Sequence, residues 1–128
     1  MWSDRYYYLN IYYDENLSES FDMEKLVTFL MSITELKQNS NYLFANNQGF
    51  PFTEILLLNA KNIDSWSENN FAKTKVNLLA IVCEKGNDEN FQKLKMMFIK
   101  IANFLSWQLV DEETDDGIEN FIIWESKR

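Results

Sequence analysis

Residues 5–13 alternate in character. Tyr7, Leu9, Ile11 and Tyr13 fall on one side of an extended chain, and Tyr6, Tyr8, Asn10 and Tyr12 on the other, so the stretch predicts a β-strand. Asp14, Glu15 and Asn16 break it. The period then changes: Met23, Leu26, Val27, Leu30 and Ile33 form a helical stripe that Ser20 or Asp22 can cap, and the helix is expected to run through Leu36. Asn39, Ser40 and Asn41 end it. A short strand over 42–45, the turn-forming tetrad Asn46, Asn47, Gln48 and Gly49, and a strand over 53–59 predict a hairpin. Pro51 stands at the start of that second strand, where its missing N–H is tolerated.

Residues 61–74 are polar apart from a few positions such as Trp66 and Phe71 and read as a long, partly helical loop. Residues 75–83 are apolar on both sides, the mark of a central strand covered on both faces, or on one face with a partner on the other. Phe91, Leu94, Phe98, Ile101, Ala102 and Leu105 define a helix over 89–106, and Met97 and Phe104 widen its stripe. Residues 107–110 and 118–125 then pair as a hairpin across an acidic turn. The order strand, helix, three strands, helix, two strands is best satisfied by an α+β fold, a mixed or antiparallel sheet with two helices packed on one face. An elaborated ferredoxin-like topology is the first expectation. No repeat, low-complexity tract or linker divides the chain, so residues 1–128 read as one domain.

Composition narrows the chemistry. Twelve Lys and Arg against twenty Asp and Glu give a formal charge of −8, yet ten Phe, six Tyr and four Trp supply a real core. A phosphate-neutralising surface needs a surplus of cations, so direct nucleic-acid binding is not expected. Histidine is absent, which removes the usual proton shuttle and every His-containing triad. Cys83 is the only cysteine; it excludes an intrachain disulfide and, inside an apolar run, reads as a buried thiol. No basic segment leads into an apolar one at the start of the sequence, and no apolar run approaches the ~18 residues of a spanning helix. A cytoplasmic location away from membranes is the expectation.

The sequence contains no nucleophile elbow, phosphate loop or dinucleotide fingerprint. A carboxylate pair can still run acid–base chemistry, but nothing in the spacing selects one, so neither an enzyme nor a cofactor is expected. The densest signal is Asp111, Glu112, Glu113, Asp115, Asp116 and Glu119, six acids in nine residues. A calcium-loop frame with Gly117 at its sixth position puts Ile123 where a bidentate Glu is required, so no metal site follows. Two readings stay open for the run: a solvated hairpin turn that blunts an edge, or a docking patch that steers a basic partner. Asp14 and Glu15 form a second acidic group. Tyr6, Tyr8 and Tyr12, opposite the core side of their strand, and Trp66 in its polar loop read either as packing or as interface aromatics.

The acidic run 111–119 and the tyrosine-rich strand 5–13, in a small, strongly negative chain, resemble the small acidic immunity proteins of bacteria. The resemblance is one of whole-chain profile rather than of a diagnostic motif. It implies a non-catalytic protein that binds and neutralises a cognate toxin, often a basic nuclease. Carboxylates would pair with the toxin's Lys and Arg, and aromatics would fill its cleft. The alternative is a generic interaction or regulatory module, homodimeric in one form.

Overall fold

The computed structural model describes residues 6–63 and 70–126. In chain order it holds β1 (Tyr6–Tyr12), β2 (Phe21–Asp22), α1 (Met23–Met31), β3 (Leu36–Ser40), β4 (Leu43–Asn46), β5 (Thr53–Leu58), β6 (Lys75–Val76), β7 (Leu78–Glu84), α2 (Asp88–Leu105), β8 (Gln108–Glu113) and β9 (Glu119–Glu125). Seven strands form one sheet in the order β3-β4-β5-β7-β1-β8-β9, and each described neighbour pair is antiparallel. The fold is α+β. Its centre, β5-β7-β1-β8 with a helix following β1 and another following β7, has the connectivity of the ferredoxin-like split βαβ unit. The β3–β4 hairpin extends one edge and β9 the other.

Alternation decides which side of each strand meets the helices. Leu9 and Ile11 of β1, Ile55 and Leu57 of β5, Leu79 and Ile81 of β7 and Leu109 of β8 share one buried cluster with Leu26 and Leu30 of α1 and Leu94, Phe98 and Ile101 of α2. Each such side chain contributes about 1.5–3 kcal/mol relative to an exposed one, which is ample to fix the register. The other side of the sheet bears a smaller cluster at one end. There Tyr12, Leu58, Leu78 and Val110 are covered by Leu17, Ala60, Ile63 and Phe71.

Both helices have their caps. The Asp22 carboxylate accepts from the Lys25 N–H at 3.0 Å, and the Asn87 side chain accepts from the Asn90 N–H at 2.8 Å. Three expectations are corrected. The first helix stops at Met31 instead of Leu36, because the 34–36 backbone is claimed by the β4–β5 turn: the Asn47 N–H bonds the Glu35 carbonyl at 2.7 Å. Leu36 then opens an edge strand, still buried in the same core. The strand foreseen over 75–83 is two strands. Lys75 and Val76 pair with Phe21 and Asp22 in a separate ribbon, and β7 begins after Asn77. Finally, the acidic turn is shorter than expected, since Asp111, Glu112 and Glu113 belong to β8. No described helix is long and apolar enough to cross a membrane.

Candidate functional site: the helix-free face of the sheet

On the side of the sheet away from the helices, β1 presents Tyr6, Tyr8 and Asn10. The neighbouring strands contribute Glu54 and Leu56 from β5, Ala80, Val82 and Glu84 from β7, and Glu112 from β8. Tyr8, Asn10, Glu54, Leu56, Ala80, Val82 and Glu112 of these positions line a cavity of about 460 Å³, which Ile63 closes at the covered end. The volume falls within the range of small-ligand or side-chain pockets. Tyr6 packs edge-on against Phe52 with ring centroids 5.8 Å apart, fixing an aromatic rim. Glu84 stands opposite Tyr6 in the β1–β7 register, and Glu54 opposite Val82. Among the described residues, the formal charges on this face of the four central strands are carboxylates alone.

The residues singled out from sequence are distributed unevenly over this surface. Tyr6, Tyr8 and Glu112 come together on it. Tyr12 shares the face but is 1% exposed, sealed under the Leu17 and Ala60 cover, so its reading as an interface residue is corrected. Asp111 is also corrected. It alternates to the helix side, is 7% exposed, and its Oδ1 accepts from the Glu113 N–H at 3.1 Å. Burial, against this backbone hydrogen bond, pushes the Asp111 carboxyl above the usual carboxylate range.

Asp115 lies in the turn with its carboxylate 2.5 Å from the Lys85 ammonium, which also sits 5.0 Å from the Tyr7 ring centre. Burial first, then the Asp115 carboxylate, raise the Tyr7 phenol. Asp116 and Glu119 are exposed at the turn, and Glu113 is half-buried. The turn is held from within: the Gly117 N–H bonds the Thr114 carbonyl and the Ile118 N–H bonds Thr114 Oγ1.

Asp14 and Glu15 follow the far end of β1, a strand's length from the acidic turn, so the two acidic groups do not form one patch. Asp14 accepts from the Ser18 N–H and hydroxyl at 2.9 and 2.6 Å and shapes the loop, whereas Glu15 is exposed. Trp66 lies outside the described residues. Glu54, Glu84 and Phe52 were missed from sequence. The signal that could have found Glu54 is a carboxylate within the apolar run Thr53–Leu58, where only one side of a strand can bear it.

Other features carry less. Cys83 is fully buried, and burial pushes its thiol up to about 12, so it offers no thiolate at neutral pH. Among the described residues no group of three acidic or thiol side chains converges on a point where a metal ion would sit. An open groove between α1 and the 71–74 segment contains Tyr42 stacked on Phe71 at 3.9 Å, but its Asp22 is already occupied as the helix cap. A scan against protein-family models finds no match to this chain, and searches of curated proteins and of solved structures find none either.

Proposed function

We propose that the helix-free face docks a basic protein, and that the chain acts without catalysis as an immunity protein that neutralises a cognate bacterial toxin of nuclease type in the cytoplasm. The observation that carries the docking reading is the one-signed charge of that face: Glu54, Glu84 and Glu112 around Tyr6, Tyr8 and Phe52, with no cation among the described residues of the four central strands. A face bearing one sign of charge steers a cationic partner to it. Tyrosine rings supply rigid apolar contact with a polar tip, the composition of binding hot spots. A nuclease surface shaped for phosphate bears the complementary Lys and Arg, which is why that toxin class fits best.

The test is affinity capture from the native host with the wild-type chain and with the Glu54→Lys/Glu112→Lys variant, both checked for folding by circular dichroism. One basic protein should bind the wild type in stoichiometric amount, be lost on the variant, and weaken steeply with salt. Mixing the purified pair should abolish the partner's nuclease activity. A partner retained equally by both chains and indifferent to ionic strength would refute the docking face. Undiminished nuclease activity in the complex would refute the immunity role alone.

A further inference from the structure

We infer that the cavity on the helix-free face is an arginine pocket: it takes one arginine side chain of the basic partner, with the Asn10 carboxamide as acceptor on its floor and Glu54 as the counter-charge in its wall. The inference rests on the docking reading above and names the side chain that anchors it. Asn10 stands opposite Ala80 in β7 and opposite Val110 in β8, and Ala80 in turn stands opposite Leu56 in β5. A carboxamide is thus set into a row of apolar side chains, where a leucine would continue the row. Asn10 is 5% exposed, lines the cavity, and has no side-chain hydrogen bond to any described residue. Buried polar groups are ordinarily paired, because an unsatisfied one gives up its hydration with nothing in return. A ligand group entering the cavity supplies the missing partner.

Glu54 selects the charge of that ligand. Its carboxylate lines the same cavity and accepts no hydrogen bond from a described residue. Glu54 stands opposite Val82, and Val82 opposite Tyr8, so Glu54 and Asn10 are two strands and one pleat apart. With ~4.8 Å between strands and ~3.4 Å per residue, their Cα atoms are about 12 Å apart. An ammonium radiates its donors from one atom and bridges acceptors no more than ~6 Å apart, twice a hydrogen-bond length. The guanidinium spreads five donors over a rigid plane and bridges ~8 Å, which suits two acceptors so spaced. Tyr8 offers an aromatic ring to that plane, and Leu56, Ala80 and Val82 offer an apolar bed to the stem. A neutral amide would satisfy Asn10 but leave the Glu54 charge unanswered, and an anion would be repelled.

The test uses the full chain and three probes, the Nα-acetyl amides of arginine, citrulline and lysine, at millimolar concentration. Nitrogen-15 NMR follows the Asn10 side-chain amide and the Tyr8 backbone amide. The arginine probe should shift both signals and saturate. Citrulline, similar in shape but uncharged, should not, and lysine should bind several-fold more weakly. Asn10→Leu and Glu54→Gln should each weaken the arginine probe about tenfold, as expected for a lost hydrogen bond to a charged group, whereas Asn10→Asp should retain it. Glu54 is only half-buried, so its variant carries the test even if Asn10→Leu fails to fold. Equal binding of the lysine or citrulline probe would overturn the proposal, as would arginine binding that is absent or unchanged in either variant. In affinity capture, Asn10→Leu should also lose the basic partner. A partner held equally by wild type and Asn10→Leu, but lost from Glu54→Lys/Glu112→Lys, would refute the pocket and leave the docking face standing. Capture indifferent to both variants and to salt would refute the docking reading itself.

Discussion

The carboxamide of Asn77 grips the Ala60 backbone from two directions. Its Nδ2 donates to the Ala60 carbonyl at 2.9 Å, and its Oδ1 accepts from the Ala60 N–H at 2.8 Å. Asn77 sits between β6 and β7 and is itself buried, so this clamp holds the chain that caps the end of the helix-free face and carries Ile63 to the cavity wall. Truncating it leaves two backbone groups without partners, each at a cost of about 1–3 kcal/mol. Asn77→Ala should lower the unfolding free energy by at least ~2 kcal/mol in urea titration, a value set by the same penalty. A loss under ~0.5 kcal/mol, within the range of surface substitutions, would mean that the clamp is dispensable.

Asp111 gives the protein a pH signature. Because burial raises its folded-state pKa above the unfolded value, ionisation is penalised only in the folded chain. Its neutral form is therefore favourable for folding in acid, and that advantage is lost as pH rises through the folded pKa. Asp111→Asn, which keeps an acceptor for the Glu113 N–H, should be more stable than wild type at neutral pH. The gap should close as pH falls below the ordinary carboxylate range. Thermal unfolding of both chains between pH 3 and 7 checks this; a gap that widens in acid contradicts it.

Cys83 should be silent in the folded protein. With its thiol buried and pushed up to about 12, a disulfide reagent at pH 8 should label it only through unfolding, and at once in denaturant. Rapid labelling of the native chain would contradict the packing of β7 against the helices.

Asp115 and Asp116 are neighbours with different duties. The pair between Asp115 and Lys85 is exposed on the acid's side, so Asp115→Asn should cost less than ~1 kcal/mol, and less again in high salt. Asp116→Asn should leave the melting temperature unchanged. Parallel thermal melts at two salt concentrations separate the two residues.

The contrast between these adjacent acids explains what local pattern reveals and what it conceals. The alternation in residues 5–13, the stripe from Phe91 to Leu105, and the hairpin around Asn46–Gly49 are set by neighbours one to four positions apart, and each element formed where its pattern placed it. The capping role of Asp22 was legible for the same reason. The acidic run was expected to form the turn from Asp111 onward, because six carboxylates close in sequence carry no sign of where a strand ends. Once Asp111, Glu112 and Glu113 enter a strand, the pleat sends Asp111 beneath the helices and Glu112 to the open face.

By itself, then, the sequence determined the α+β class, the two helices, most strand positions and the excess of negative charge, all of which rest on composition and short-range period. Only the tertiary structure decided the strand order, the early end of α1, the burial of Tyr12 and the placing of Glu54, Glu84 and Glu112 on the same face as Tyr6 and Tyr8. Those outcomes depend on which distant segments pair and which side of the sheet the chain covers. The free energy of burial is shared across the whole sheet, and no local window contains it.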